Sequence, residues 1–583
     1  MSAPASPPRL KRSPGVSSEV AEARAQFAKG NHSEAFALAR KALEVFPRSF
    51  DAHVLIGEIA LLQPSSIPLA EKMVRQALAL RPGDKVAQLL LIEAFRLGDK
   101  LSDAELLLAR LVKQFPSDAQ VRLALSKLRR AQGRKYEALS AMALASEFSP
   151  HDSTLALQVA PELKKHGRLH EALTAYLRAV GVNDGIKIVD PAKRPVRVVF
   201  IVQYAPGWSS LESVWKEFIN DPKAEATIIA LPLGGRGLED NQSIFTFLKS
   251  RNIPFVSGTE FVPTPDFADI VFFQLPYDDT RPAGWRVMDI LKLVPRLAYI
   301  PYAWEVGGGG NNAMYQYNLP LQQVAWRVFS RSEQQKSMFG RHCASGNHHV
   351  AITGHPRLDA LNALEGLSPD LEFERLAGGR KVILWNPHFD VTAESNGYST
   401  FCIWEKFLLE EFKQRQDLVF IIRPHPFLFD TLQQRGLWNT AQVADFHRRV
   451  SAAGNIVLDR RSSYLPAFKA SAGMLTDISS LLLEYTAIGK PLLCFSNAAG
   501  PHLNEDGALI CSNQYQATTA GEITVFLDMV AQDKDPQRIV REAAFRSIMQ
   551  IPRGGVGQMI KQEIFERLAK EAKEASQTLA VLP

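Results

Sequence analysis

Cysteine is scarce in this chain, with four residues in 583: Cys343, Cys402, Cys494 and Cys511. They are scattered without paired spacing, which excludes a disulfide-stapled secreted scaffold and a zinc finger and points to a reducing compartment. Cys494, inside PLLCF, reads as a core thiol. No stretch reaches the roughly 18 uncharged apolar residues that a transmembrane helix needs, so none is expected. The opening MSAPASPPRLKRSPGVSS has basic residues but no apolar centre. That excludes a secretory signal and leaves a disordered Pro/Ser arm over residues 1–16. The charge excess is small as well. Lys and Arg number 67 against 61 Asp and Glu, a net charge of +6 with pI near 8.9, which suits an anionic substrate but not a nucleic-acid protein. Asp533-Lys534-Asp535 mimics a metal-binding pattern, yet it follows a helix on a polar turn and reads as solvated, so no metal is expected. With 46% hydrophobic and 22% charged residues, the chain reads as ordinary globular material. It is expected in the cytoplasm, at most peripheral at the inner membrane face, with room for about three or four domains.

Regularity is what the first third does have. Pro47, Pro82, Pro116 and Pro150 lie 35, 34 and 34 residues apart, and Gly30, Gly98, Gly133 and Gly167 keep the same rhythm, with Pro64 standing where one glycine is missing. Each unit reads as a helix, a Gly turn, a second helix rich in small residues (EAFALARKALEVFP, LAEKMVRQALALRP) and a proline. Such a unit resembles the tetratricopeptide repeat, about five times over across residues 17–183. One helix pair cannot bury its apolar face alone, so neighbours stack into a curved solenoid. Its concave face suits a protein partner; the plainer alternative is a spacer.

Beyond a Gly/Pro/Asp linker at 182–195, short apolar runs alternate with amphipathic segments. The runs are RVVFIVQY, ATIIALPL, IPFVS, DIVFFQLPY, RLAYIPY, RVFSRS and HVAITGHP. They predict a doubly wound α/β domain over residues 196–364. No G-x-G-x-x-G follows its first strand, which excludes an obvious dinucleotide binder. A polar, Gly-rich gap at 365–380 precedes a second series, KVILW, LVFII, NIVLD, AGMLT and PLLCF, and a charged helical end, forming a second domain over residues 380–583. The expected fold class is α/β GT-B, two Rossmann-like domains facing across a cleft, preceded by the all-α solenoid.

Ligands of parallel sheets sit beyond the strand C-termini, and four polar motifs stand at that place. They are Gly354-His355-Pro356-Arg357 after HHVAIT, Asn386-Pro387-His388 after KVILW, Arg423-Pro424-His425-Pro426 after LVFII, and Asp477-Ile478-Ser479-Ser480 after AGMLT. Prolines on both sides of His425 stiffen its loop, and Arg423 offers a fork for phosphate. Neutral histidine can act as a base near pH 7, and its cation can stabilise a leaving phosphate. The Ser pair opens a helix whose N-terminus is a ready anion site. Glu484, four residues after Ser480, shares its face and could accept ribose hydroxyl bonds. Gly354 permits a tight turn or a close approach to a ligand. The bland readings are a capping motif, a turn histidine and a solvated glutamate. His348 and His349, just before a strand, read as surface residues.

TGHPRLD, LWNPHFD, IIRPHP and LTDISSLLLEYTAIGKPLLCF, in that order, resemble the CDP-glycerol glycerophosphotransferase family, the teichoic acid polymerase-like transferases. The resemblance covers residues 350–500 well and 196–350 only as architecture. It implies essential histidines at His355 and His425, nucleotide and phosphate contacts at Arg423, Ser479, Ser480 and Glu484, and Asp477 supporting the loop. Arg357 and His388 join the substrate-binding set. It further implies attack of an acceptor hydroxyl on the β-phosphate of CDP-glycerol, with CMP leaving. Family members commonly carry a Trp-His-Gly segment; this chain has Tyr302-Ala303-Trp304-Glu305-Val306 followed by Gly307–Gly310. Either Glu305 replaces the histidine as base or the acceptor differs, and the glycine run is either a flap over the cleft or a slack loop.

The expected function is transfer of a polyol phosphate from a CDP-linked donor to a surface-glycan or lipid-linked acceptor, with no cofactor beyond the nucleotide donor itself. Alternatives are a sugar-nucleotide GT-B enzyme, since TGHPRLD also resembles UDP-N-acetylglucosamine 2-epimerases and fused repeats resemble protein O-glycosyltransferases, or a non-catalytic repeat scaffold.

Overall fold

The computed structural model describes residues 15–183, 186–234, 243–391, 398–461, 463–495 and 503–581. The expected N-terminal arm falls outside these residues, apart from Gly15 and Val16, which open the first helix. The chain divides into two compact units, residues 1–159 and 160–583.

The first unit is a stack of antiparallel helices. Gly15–Ala28 pairs with His32–Val45, Phe50–Ala60 with Ile67–Leu80, Lys85–Leu97 with Leu101–Gln114, and Ala119–Ala131 with Lys135–Phe148. The rhythm read from the sequence has local causes. Asp84 and Asp118 accept hydrogen bonds from the backbone N–H of Ala87 and Val121, capping the first helix of successive pairs. Gly30 and Gly133 turn the chain with φ near +84° and +75°. At Gly98 the left-handed conformation falls instead on Asp99, at φ 57°. Small residues make close packing possible: Ala35, Ala39, Ala42, Ala70 and Ala77 are fully buried.

The helix Ser153–Lys165 runs through the boundary at residue 160, and Leu169–Ala179, in the second unit, closes the helical series. Lys164 and Tyr176 tie them to the segment between residues 323 and 345. The Lys164 ammonium donates to the carbonyls of Gln323 and Ala325, and the Tyr176 hydroxyl bonds Ser345.

Two parallel sheets then form. The first contains β1 (Val196–Val202), β2 (Ala224–Ala230), β3 (Val256–Ser257), β4 (Ile270–Phe273), β5 (Leu297–Tyr299), β6 (Arg327–Ser330) and β7 (Val350–Ile352), in the order β3-β2-β1-β4-β5-β6-β7. The second contains β8 (Lys381–Asn386), β9 (Leu418–Ile422), β10 (Ile456–Leu458), β11 (Gly473–Thr476), β12 (Leu492–Phe495) and β13 (Tyr515–Ala517), in the order β10-β9-β8-β11-β12-β13. Central strands are apolar throughout because helices cover both faces; β4, β9, β11 and β12 are buried at every residue. In the first sheet Phe200 stacks on Phe272 at 4.9 Å, and Phe272 on Phe329 at 6.0 Å. These are the two Rossmann-like halves of a GT-B fold. The strand order reverses between β1 and β4 in the first sheet and between β8 and β11 in the second, and such reversals open the crevice in which ligands sit.

The second sheet begins at β8, but the chain beyond it does not stay with that sheet. The last helix, Val556–Val581, returns to the first domain. Val556, Ile560, Ile564 and Leu568 form one buried stripe at four-residue intervals. Phe565 meets Phe218 edge-on at 5.9 Å, and Lys561 pairs with Glu217 and Asp221. Glu571 accepts from Arg296 and from the Trp326 indole. An apolar helical stripe packs wherever a complementary face is open, and its position in the sequence does not name that face.

Candidate functional site

Asp477 organises the reversal point of the second sheet. It follows β11 and is fully buried. One carboxylate oxygen accepts from the His388 backbone N–H at 2.8 Å and from the Ser399 hydroxyl; the other accepts from the N–H and hydroxyl of Thr400. One acid thus fixes the loop after β8 and the start of the helix Phe401–Gln414. Burial pushes its pKa up to about 6 against those bonds. Asp477→Asn can face either pair of donors with its amide. The hydroxyl in that pair can turn to accept, but one backbone N–H then loses its partner, which costs about 2 kcal/mol. The expected result is a thermal unfolding temperature a few degrees lower, with weakened donor turnover because His388 is no longer held. Unchanged stability would sink this account.

His388 and His425 come together there. Their ring centroids are 5.6 Å apart, with Phe389 packed 4.4 Å from the His425 ring. The Nδ1 of His388 accepts from the Asp390 N–H, and the Nδ1 of His425 accepts from the Phe427 N–H. Both rings are therefore neutral with the hydrogen on Nε2, and neither Nε2–H has a partner among the described residues. Burial lowers His388 to about 4; burial and then His388 lower His425 to about 3. The Ser479 hydroxyl, at the head of the helix Ser480–Ala487, is buried with no partner among the described residues. Ser480 opens that helix half-buried.

The remaining expected residues have different neighbours. His355 is buried, and both its nitrogens are engaged. Nε2 lies 2.6 Å from the Pro301 carbonyl, Nδ1 accepts from the Arg357 N–H, and Trp304 packs edge-on at 5.6 Å. Burial, and then Arg357, hold its pKa well below the ordinary histidine value. With both nitrogens engaged, it braces the first domain. Gly354, at φ +85°, is needed because an added Cβ would meet the Gln550 carbonyl at 2.4 Å; the close approach is to backbone, not to ligand. Arg357 donates to Glu484 across the two sheets and to the Tyr302 carbonyl at 2.7 Å. Glu484 is thus paired and fully buried rather than presented to the cleft. Arg423 donates to Asp459 at 2.5 Å and to the Arg461 carbonyl.

Glu305 is not a free base either. Its carboxylate accepts from Arg331 at 2.6 Å and from Gln335 at 2.8 Å, and Arg331 also binds Asp506 of the second domain. Burial raises its pKa, against Arg331. The glycine run beside it is a tie: Gly307 bridges Leu503 in antiparallel fashion, and an added Cβ there would meet the Tyr398 hydroxyl at 2.5 Å. Two further expectations are corrected. His349 is fully buried with Nε2 on the Gln322 carbonyl, and Asp535 is paired with buried Arg541 rather than solvated.

Sequence reasoning missed the first sheet's contribution. Gln274, after β4, accepts the backbone N–H groups of Gln203 and Tyr204 at 2.8 Å each and donates to the Tyr204 carbonyl. It missed Tyr464 as well, which lies beside Glu484 and Ser209 with its hydroxyl buried and no hydrogen bond of ordinary geometry. The available signal was position: polar residues ending the runs VVFIV and IVFF. None stands beside a histidine.

Residues 313–506 match the family model described as CDP-glycerol:poly(glycerophosphate) glycerophosphotransferase. Residues 20–85 and 66–128 match tetratricopeptide-repeat models. The transferase match spans every expected site residue except Glu305. The chain therefore carries an enzymatic, transferase segment behind a repeat region. No curated protein matches it. Among solved structures, S. aureus MnaA with UDP is 14% identical at a TM-score of 0.45, covering 64% of this chain and 97% of that one. The Neisseria meningitidis UDP-GlcNAc 2-epimerase bound to UDP-GlcNAc is 15% identical at 0.44, covering 64% and 100%. A mutant Thermobaculum terrenum O-GlcNAc transferase is 14% identical at 0.32, covering 96% and 98%. Among the described residues no helix is long and apolar enough to cross a membrane.

Proposed function

We propose that this protein transfers a polyol phosphate from a CDP-linked polyol, of the CDP-glycerol class, to a hydroxyl of a surface-glycan acceptor. The observation that carries the reading is the pair of neutral imidazoles, His388 and His425, each with its hydrogen on Nε2, at the second sheet's reversal point. They stand near a helix head whose Ser479 hydroxyl lacks a partner among the described residues.

The diphosphate sits against the head of the helix Ser480–Ala487, where free N–H groups and the Ser479 and Ser480 hydroxyls meet its charge. An acceptor oxygen attacks the β-phosphorus. The bond from that phosphorus to the bridging oxygen breaks, and CMP departs with the electron pair. His425 and His388, each neutral with its hydrogen on Nε2, donate to the phosphoryl oxygens as charge develops there, and the acceptor proton passes to the phosphate of the departing CMP. Arg357 and Glu484 keep the halves in register, Asp477 holds the His388 loop, and Arg423 adds positive charge beside the phosphate. The repeat region recruits a protein or acceptor.

A thermal-shift series with CDP-glycerol, CDP-ribitol, UDP-N-acetylglucosamine and a GDP-sugar tests the donor. A cytidine compound at about 100 times its Kd is expected to add roughly 2.7 kcal/mol of stability. Stabilisation by uridine compounds alone would replace this reading with the sugar-nucleotide one.

A further inference from the structure

The two sheets use the same device at their reversal points. In the second, the Asp477 side chain at the end of β11 clamps the backbone of the loop after β8 and so presents His388. In the first, the Gln274 side chain at the end of β4 clamps the backbone after β1 with three hydrogen bonds, two accepted and one donated, and so presents Tyr204. A primary amide that makes three bonds to backbone holds the residue between them in place. Gly207 turns the chain directly behind, its N–H on the Tyr204 carbonyl at 3.1 Å. A Cβ on Gly207 would press Gln274 at 3.1 Å and the Tyr204 ring at 3.4 Å, so the clamp is close-packed as well as bonded.

Tyr204 is half-buried, and its hydroxyl has no partner among the described residues. Burial and then Tyr302 push its pKa up to about 12, while Arg357 and Arg423 pull the other way. The phenol therefore keeps its proton at neutral pH. Both guanidiniums are held by fixed partners. A protonated hydroxyl whose backbone is clamped at the end of β1 is suited to a phosphoryl oxygen.

We infer that Tyr204 is the first domain's catalytic residue, donating its hydroxyl hydrogen to a non-bridging oxygen of the phosphoryl group in transfer. The inference rests on the proposed phosphoryl-transfer reading and deepens it: the residue that answers His425 across the cleft is a tyrosine after β1, while Glu305 stays locked to Arg331.

The test compares wild type with Tyr204→Phe, full length, measuring CMP release from CDP-glycerol with water as acceptor and with an added glycan acceptor. UDP release from UDP-N-acetylglucosamine is run alongside. Removing one such donor is expected to lower kcat about 30-fold or more. The same factor is expected with either acceptor, donor KM should stay within about twofold, and the unfolding temperature should not change. A Tyr204→Phe variant with wild-type kcat overturns the inference, as does a loss confined to acceptor KM. Wild-type protein that releases no nucleotide from either donor overturns the proposed function and the inference together, and release of UDP alone overturns the cytidine donor first.

Discussion

Replacing His425 with alanine is expected to lower kcat by roughly a thousandfold, the range for loss of a positioned hydrogen-bond donor to the reacting group. The unfolding temperature should move by no more than about 3 °C. The asymmetry comes from how the ring is held. Its backbone N–H donates to the Pro387 carbonyl at 3.0 Å, a bond that survives any side-chain change. Pro424 and Pro426 keep the loop's course. What disappears is the Nε2–H and the contact with Phe389. His425→Asn retains an acceptor for the Phe427 N–H but is too short to place an N–H where the ring's Nε2–H stands, and it should be as inactive as alanine. Turnover at the wild-type rate in either variant would remove His425 from the chemistry.

Arg331→Ala should give the largest loss of stability. The guanidinium is 1% exposed and joins Glu305 in the first domain to Asp506 in the second, both carboxylates largely buried. Removing it leaves two acids without their cation, and breaking such a buried cluster costs about 3–5 kcal/mol. The first thermal transition is expected to fall by several degrees. Adding Glu305→Gln and Asp506→Asn to Arg331→Met should recover at least half of the loss, because the charges that need compensation are then gone. If Arg331→Ala unfolds like the wild type, the cluster is not what joins the halves. If the triple variant is worse than the single one, charge burial is not the cause.

The fold was legible because its signals are local. Every apolar run read as a strand became one, since runs of four to six β-rich residues between polar turns have few other destinations. β13 escaped notice: Tyr515-Gln516-Ala517 is short, polar and at the edge of its sheet, so it carries no apolar run. The repeat period was legible because Pro and Gly mark helix ends for backbone reasons that hold regardless of neighbours. The candidate site was half legible. His388, His425, Asp477 and Ser479 do cluster at one reversal point, as their shared place at strand ends implied. What the sequence could not tell is which polar groups are already spoken for. His355 sits in a Gly-His-Pro-Arg motif much like the one around His425, yet its two nitrogens are taken by Pro301 and Arg357. Glu305 and Glu484 look like free acids in the sequence, and each is matched to an arginine far away in the chain. Partnering of that kind depends on three-dimensional proximity between halves, on which single-residue patterns are silent.

The returning helix Val556–Val581 bears on how the chain is made. The face it covers, around Phe218, is translated long before the helix itself emerges from the ribosome. Until then a nascent first domain exposes an apolar surface awaiting Val556, Ile560 and Ile564, a condition that invites chaperone capture or aggregation. Folding of the earlier half is thus timed by synthesis of the later one, and ribosomes stalled before residue 556 should carry chains that proteases cut readily within that half.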